Sequence, residues 1–173
     1  PTVGRQHKLA TDWQSVASVH KGADIDVLEI RLLPALPPLD LTKGQPAAKY
    51  RMIRRVHTRE GRPYLLSSAY VEDELFRLCP RSQFRKLPTL PILHSVAGNS
   101  LAQAWQTLTV GTADVEVAAL LKMPLNAPVA KVDRTLIDVN GIILYSGHGI
   151  YRGDTVSLEM ELHWPKTGAA RRQ

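Results

Sequence analysis

Basic residues are the side chains in this sequence with the clearest capacity for chemistry, because two clusters of them could bind an anion. One cluster comprises Lys49, Arg51, Arg54, Arg55, Arg59 and Arg62, and the other comprises Arg77, Arg81, Arg85 and Lys86. The formal net charge of +6 has the same sign. The clusters fall on predicted strands and a loop, without a recognition helix and with few aromatic residues. This placement favours one or two arginines that bind a small anionic molecule, and a nucleic-acid surface is the alternative.

Motifs for covalent or metal-assisted catalysis are absent from the sequence. It contains no HExxH motif, no cysteine pair and no aspartate-rich loop, so neither a metal site nor a cofactor is expected. It also lacks a Gly-x-Ser-x-Gly elbow and a phosphate-binding loop. Catalytic triads can assemble from distant residues, so a catalytic site is not excluded on this ground. No residue is assigned a catalytic role, and we expect a binding protein rather than an enzyme.

The composition is that of one folded domain. Hydrophobic residues make up 44% and charged residues 22% of the 173 residues. No apolar run approaches the roughly 20 residues of a membrane-spanning helix, and residues 1–8 lack the apolar core of a signal peptide. The single Cys79 excludes an internal disulfide and fits a reducing compartment, so a cytoplasmic location is expected. Because the chain opens on Pro1, we expect it to be part of a longer protein.

Two predicted β-hairpins with a similar plan position many of the basic residues. They span residues 49–71 and 129–151, with turns at Glu60-Gly61 and Asn140-Gly141. Arg55 and Arg134 precede these turns, and the return strands end at Tyr70 and Tyr151. Two similar units that pack face to face would enclose a small cleft, and ligands favour such clefts.

The remaining segments predict an α+β domain with a largely antiparallel sheet and a few packed helices. Alternating apolar residues predict strands at Asp24–Leu33 and Thr155–His163, whereas Leu101–Val110 fits either a strand or a helix. Helices are predicted at residues 16–22, 72–78 and 113–121, the last with Thr112 as its N-cap. A long loop is predicted at Arg81–Gly98, with a short helix after Pro91.

Several of these elements occur in an order and spacing that match a known family. They are the Arg55-x-x-x-x-x-Gly61-x-Pro63 hairpin, the Thr107–Val110 strand, the Ala113–Leu120 helix, the Ala127-Pro128-Val129 entry to the strand of Arg134, and Tyr151-Arg152-Gly153-Asp154. Together they resemble the UTRA domain, the effector-binding half of HutC-type regulators in the GntR superfamily, which shares its fold with chorismate lyase. The resemblance covers about residues 16–163. It implies a domain at 16–165, a linker remnant at 1–15 after a winged helix-turn-helix domain, and a disordered tail at 166–173.

The resemblance also implies a site for an anion on the first hairpin. Family members that bind sugar phosphates use two basic residues two positions apart, and these match Arg55 and His57. A strand period of two places both side chains on one face, where both can reach one anion. Without the resemblance, His57 would more simply be an exposed histidine of a surface hairpin.

Other positions of the implied site differ from the sugar-phosphate pattern. An acidic residue on the return strand is replaced by Ser67, and a second, on the last hairpin, is replaced by Tyr145, while the tyrosine six positions later is retained as Tyr151. The position of a serine that helps to hold phosphate in the family falls near Pro91, and this exchange removes a hydroxyl and a backbone N–H. The segment after it adds Leu93 and His94 to the predicted ligand-binding residues.

Three further residues have two interpretations each. Arg134 is more readily structural than ligand-binding. Arg152 could pair with Asp154 or face the ligand. His148 lies between two glycines, which indicates either close approach of another group or a β-bulge.

These observations predict a ligand-sensing domain of a bacterial transcriptional regulator. The two carboxylates of the sugar-phosphate pattern are absent here, so partners for sugar hydroxyls are missing. We therefore expect an aromatic or dicarboxylic acid rather than a phosphosugar, with Arg55 binding a carboxylate. Binding would order the segment from Pro88 to Asn99 and change the spacing of attached DNA-binding domains. A homodimer is expected, since operators are two-fold, with the exposed strand Thr155–His163 as one candidate surface. The alternatives are a chorismate lyase-like enzyme and a direct nucleic-acid binder.

Overall fold

The computed structural model describes residues 7–9 and 22–161, and they form an α+β domain built on one antiparallel sheet. The strands are β1 (His7–Lys8), β2 (Asp24–Leu32), β3 (Gln45–Pro46), β4 (Tyr50–Arg59), β5 (Arg62–Glu72), β6 (Leu101–Thr112), β7 (Pro128–Asp138), β8 (Ile142–Arg152) and β9 (Val156–Ser157). The α-helices are α1 (Asp73–Leu78), α2 (Thr89–Ala97) and α3 (Val115–Leu120), and 3-10 turns occupy Arg81–Arg85 and Gly98–Ser100. The predicted fold class is confirmed.

The main sheet has the strand order β2-β4-β5-β8-β7-β6, and β3 adds a short parallel pairing with β8. Both predicted hairpins are present, as β4-β5 and β7-β8, with turns at Gly61 and Gly141. Their return strands, β5 and β8, pair with each other, so the hairpins lie edge to edge in one sheet. The expectation that they pack face to face is therefore wrong. The physical reason is that pairing β5 with β8 satisfies the backbone groups of both inner edges.

Helices and the N-terminal segment cover the two faces of the sheet unequally. On one face, α1, the 3-10 turn at Arg81–Arg85 and α2 pack on Ile53, Val71 and Tyr145 in a first apolar cluster. A second cluster on that face joins Leu9, next to β1, to side chains of β5, β7 and β8. On the opposite face, α3 packs its Val117 and the following Leu121 on a third cluster. No helix among the described residues is long and apolar enough to cross a membrane.

Several local predictions are corrected by the structure. Residues 101–112, ambiguous in the sequence, form a strand, and Thr112 ends that strand instead of capping α3. The N-cap is Asp114, whose carboxylate accepts a hydrogen bond from the Val117 amide at 2.8 Å. The predicted loop before β6 contains α2, which begins at Thr89 and holds Pro91 in its first turn, where a missing N–H is tolerated.

The strand predicted at Thr155–His163 is wrong over most of its described length. Only Val156 and Ser157 form a strand, in parallel with β1, and Leu158 and Met160 are exposed. An alternating pattern forms a strand only where a partner edge exists. Both edges of β8, the strand that precedes this segment, are already paired with β5 and β7. Among the described residues, β9 pairs with the two residues of β1. His163, the tail at 166–173 and the helix predicted at 16–22, apart from Gly22, lie outside the described residues.

Candidate functional site

A small cavity lies on the sheet face that carries Arg55, between the first and second apolar clusters. Its volume is about 40 Å³. Its walls include Ala69, Leu90 and Tyr145 from the first cluster and Leu65, Val132 and Tyr151 from the second. The polar side chains on its walls include Arg55, His57, Ser67, Thr89 and Arg134. The cavity thus lies where the two hairpins join, although they do not face each other.

Two glycines form the floor of the cavity on the central strand β8. A Cβ added to Gly147 would collide with the phenol oxygen of Tyr145, and one at Gly149 would lie 3.1 Å from the ring of Tyr151. Each glycine therefore leaves room for the tyrosine two positions away to fold over the strand. The sequence interpretation of close approach is correct here, and no bulge lies at His148, whose Nδ1 contacts the Asp133 carboxylate.

Arg55 is the buried cation of the cavity, with only 2% of its surface exposed. Its Nη1 donates to the carbonyl oxygens of Phe84 (3.0 Å) and Leu87 (2.8 Å), and its Nη2 donates to Thr89 Oγ1 (2.6 Å). Its Nε is buried without a hydrogen-bond partner. Burial lowers the pKa of Arg55 to about 10, so the guanidinium remains charged at neutral pH. A buried charge held only by neutral acceptors is suited to an anionic ligand.

Within residues 7–9 and 22–161, no carboxylate lies on the walls of this cavity. Among the described residues, neither Arg55 nor Arg134 takes part in a salt bridge. Arg134 donates from Nε to Gln106 Oε1 at 2.7 Å. Its position on the wall is a feature that sequence reasoning missed, because a strand arginine carries no signal of which face it occupies. The site is therefore positively charged, and none of the described residues supplies a counter-ion.

Tyr145 and Tyr151 are both buried at the cavity. Burial raises the pKa of the Tyr145 phenol, and the nearby charges of Arg134 and Arg55 act in the opposite direction. Burial also raises the pKa of Tyr151, which Arg134 opposes by its charge and by a hydrogen bond. Both phenols stay neutral at physiological pH and can donate hydrogen bonds to a ligand oxygen.

His57 lies beside Arg55 on β4, as the strand period requires, and is 1% exposed. Its Nε2 lies 3.1 Å from Ser67 Oγ on the neighbouring strand. Its ring also meets Tyr64 edge-on, with the ring centroids 6.2 Å apart. The alternative of an exposed surface histidine is wrong. The structure thus brings Arg55, His57 and Ser67 together with the two tyrosines described above.

Two of the predicted ligand-binding residues lie away from this cavity. Leu93 is fully buried in the first apolar cluster. His94 lines a separate cavity of about 320 Å³ between the end of α2 and β6. Only the first turn of α2 lies over Arg55. Residues 93 and 94 are one turn further along the helix and therefore lie beyond the cavity. Thr89 was missed instead, because the segment was predicted as a loop and its helix start was placed too late.

Arg152 does not face the cavity. It pairs with Asp154 through two bonds, Nε to Oδ1 at 2.9 Å and Nη2 to Oδ2 at 2.7 Å. Its Nη1 donates to the carbonyls of Leu121 and Lys122 at the end of α3. Of the two interpretations from the sequence, the structural pairing is correct.

The first basic cluster is not one solvated surface. Arg51 pairs with Asp73, Arg54 pairs with Glu116, and Arg62 lies 3.6 Å from Asp154. Arg55, in the same cluster, is buried in the cavity. This arrangement does not favour the alternative of a nucleic-acid surface on the first hairpin. Within residues 7–9 and 22–161, no group of histidine, cysteine and acidic side chains could hold a metal ion.

Comparison with known families decides the identity of the fold. The model of the UTRA domain family matches residues 20–157. The chain belongs to the UTRA domain family. A search of curated proteins found no match.

Several solved structures share this fold at low sequence identity. PhnF from Mycobacterium smegmatis is 19% identical, with a TM-score of 0.73 over 91% of this chain and 72% of that protein. YydK from Bacillus subtilis is 11% identical, with a TM-score of 0.74 over 92% and 69%. The ligand-binding domain of a GntR-family regulator from Bordetella bronchiseptica is 23% identical, with a TM-score of 0.67 over 82% and 91%. At these identities, the likenesses show that this UTRA domain shares its fold with the three proteins.

Proposed function

We propose that this UTRA domain senses a small organic acid in the cavity at Arg55 and controls operator binding by a winged helix-turn-helix domain joined to its N-terminal side. The observation that carries the proposal is the buried guanidinium of Arg55 on the wall of a cavity to which the described part of the chain contributes no carboxylate. A ligand carboxylate would supply the missing counter-ion. His57, Ser67, Tyr145 and Tyr151 would complete its hydrogen bonds.

An acid with an apolar body fits this cavity better than a phosphosugar does. Sugar hydroxyls are donors that need acceptors, and the walls offer no carboxylate to accept them. Instead, Leu65, Ala69, Leu90 and Val132 present apolar surface. Since one water needs at least about 10–15 Å³, a cavity of about 40 Å³ holds only a few atoms. A larger acid must therefore displace part of the wall.

The displaced part would be the segment from Phe84 to Leu90, because Arg55 holds it directly. Three hydrogen bonds join the guanidinium to this segment. A carboxylate that binds Arg55 would compete with those carbonyl and hydroxyl acceptors and change where α2 begins. The segment already contains a 3-10 turn and α2, so we propose a shift of formed structure in place of the loop ordering expected from the sequence.

The N-terminal segment offers a route from the cavity to an attached DNA-binding domain. Leu9 is buried against the second cluster, whose members Leu65, Val132 and Tyr151 are also walls of the cavity. The Leu9 amide donates to the Ser157 carbonyl at 2.7 Å, next to the β1–β9 pairing. A ligand that moves Tyr151 would change the packing of Leu9. The effect on DNA affinity would equal the difference in ligand affinity between the two arrangements.

A homodimer would be built on the edge strand β6 rather than on residues 155–163. Among the described strands, β6 pairs only with β7, and its twelve residues include no charged side chain. Edge strands of monomers usually carry charges or bulges that prevent pairing, and β6 has one such irregularity, between Leu101 and Gln103, with regular pairing to β7 from Gln103 to Thr112. Val110, on this strand, is 80% exposed. These features support antiparallel pairing of β6 with its copy in a second chain.

A thermal-shift screen tests the proposed function. The panel would contain benzoate, phthalate, succinate, adipate and hexanoate, with glucosamine 6-phosphate and inorganic phosphate as the competing chemistry. We expect at least one carboxylic acid to raise the melting temperature in a concentration-dependent way, because a ligand that binds only the folded state stabilises it. Stabilisation by the phosphosugar alone would contradict the proposal.

A further inference from the structure

Arg134 gives the cavity a second fixed positive charge, and we propose that the effector is an acid with two separated anionic groups, one bound by Arg55 and the other by Arg134. This inference rests on the proposed function, since it names the class of acid that the cavity at Arg55 accepts. It assigns Arg134 as the residue that selects doubly charged acids over singly charged ones.

The two arginines stand on opposite sides of the cavity floor. Arg55 is on β4 and Arg134 is on β7, with β5 and β8 between them. Three strand spacings separate their backbones by about 14 Å. Arg55 aligns through Ser67 with Gly149, while Arg134 pairs with Gly147. The line between the arginines therefore crosses the glycine floor.

Each guanidinium is held apart from the other by its own hydrogen bonds. Arg55 is fixed by the segment that contains Phe84, Leu87 and Thr89. Arg134 is held by Gln106 on β6, to which its Nε donates, and by a hydrogen bond with Tyr151 on β8. One small anion bound by both arginines would require at least one of these attachments to break. Two anionic groups on one molecule can bind the two arginines while both sets of hydrogen bonds stay intact.

The charge balance leads to the same class of ligand. None of the described residues on the cavity walls is a carboxylate. Burial raises the pKa of Tyr145, and the charges of Arg134 and Arg55, which both lie near it, act in the opposite direction. A monoanion would neutralise Arg55 and leave the half-buried Arg134 without a counter-ion among the described residues. A dianion compensates both charges. Between the anchors, the floor of Gly147 and Gly149 and the apolar wall at Val132 favour a connecting chain of carbon atoms without hydroxyl groups.

Titration calorimetry of the full chain with straight-chain α,ω-dicarboxylates, from succinate to suberate, tests the inference. Each diacid is compared with the monocarboxylate of equal carbon number. We expect an optimum chain length at which the diacid binds about tenfold tighter or more, the range of one charged hydrogen-bonded contact. Arg134→Gln should reduce the affinity for that diacid to that of the matched monocarboxylate, whereas Arg134→Lys should keep part of the preference.

Lys131→Gln is the matched control, because it removes the same charge from an exposed position on the other face of β7. It should retain the full preference for the diacid. If diacids and monocarboxylates bind equally to the wild-type chain, or if the preference survives Arg134→Gln, the two-anion inference is overturned while the acid site at Arg55 stands. If no acid binds the wild-type chain, the proposed function itself is overturned.

Discussion

Arg55 on β4 donates a hydrogen bond to the hydroxyl of Thr89, the first residue of α2, across 2.6 Å. The contact joins the sheet to the element that covers the cavity. Two more bonds from the same guanidinium reach carbonyls of the preceding segment. The position of α2 is therefore set by the same group that is expected to bind an anion, which makes the cover sensitive to the ligand.

Loss of the Thr89 hydroxyl provides a test of that sensitivity. Thr89→Val keeps the shape of the side chain and removes the acceptor, which leaves part of the buried guanidinium unsatisfied. We expect the free protein to lose about 1–3 kcal/mol of stability. An acid that binds Arg55 should restore part of this loss, so the ligand-induced rise in melting temperature should exceed that of the wild type. Equal rises in both proteins would contradict a competition between ligand and cover.

The glycine floor predicts a steric effect on binding. Gly147→Ala would drive a methyl group into the Tyr145 phenol, which is enclosed by the first apolar cluster. Overpacking of this kind destabilises by about 1–3 kcal/mol, and the displaced ring would fill the cavity. Calorimetry should show loss of acid binding by a chain that still unfolds cooperatively. Gly111→Ala is the control, because its methyl group would meet only the flexible end of the Lys131 side chain.

The N-terminal route predicts coupling between Leu9 and the cavity. Leu9→Ala removes buried surface from the second cluster, and we expect about 2–3 kcal/mol less stability at that site. Hydrogen exchange at the Leu9 amide, which bonds to Ser157, should be accelerated. In the wild-type chain, addition of a binding acid should change the same exchange rate. If a saturating acid leaves the exchange rate of the Leu9 amide unchanged, the N-terminal segment is excluded as the route.

The Arg152–Asp154 pair predicts a specific dependence of stability on pH. Hydrogen bonding to Arg152, followed by the charges of Arg152 and Arg62, lowers the pKa of Asp154 below its ordinary value of 3.8. A carboxyl with a lowered folded-state pKa stabilises the fold above its unfolded pKa and loses that contribution as pH falls through the folded value. Asp154→Asn should therefore lower the melting temperature at pH 7 and reduce its fall below about pH 4. Parallel acid-unfolding curves for both proteins would contradict this assignment.

The uncharged edge of β6 predicts a dimer that a charge can break. Val110→Lys places a cation on an exposed position and should change the melting temperature of the monomer little. Analytical ultracentrifugation should show a dimer for the wild type and a monomer for the variant. A wild-type chain that stays monomeric at high concentration would remove β6 as the dimer surface.

Local patterns in the sequence predicted much of the fold. Turns at Gly61 and Gly141, and the strands around them, follow from glycine at positive φ and from residues that alternate between the two faces. The edge-to-edge joining of the hairpins could not be predicted, because the β5–β8 pairing joins residues far apart in sequence. Residues 158–161 show the converse, since their alternating pattern pairs with no strand in the part of the chain that the structure describes.

The part of the candidate site on β4 was predictable from the two-residue period of a strand. Arg55 and His57 share a face because they lie two apart on one strand, and both reach the cavity. Arg134 and Thr89 could not be assigned to it from sequence. The first depends on which face of β7 turns inward, and the second depends on where α2 begins.

Calorimetry of the best acid from the thermal-shift screen with wild type, Arg55→Gln and Arg81→Gln shows whether Arg55 binds the effector. Arg81 lies on the exposed side of the 3-10 turn, so its loss controls for net charge. Hydrogen bonds to charged groups contribute about 1.5–3 kcal/mol each. The account predicts that Arg55→Gln weakens binding at least about tenfold, while Arg81→Gln binds like the wild type. Equal affinities of the wild type and a folded Arg55→Gln protein would contradict it.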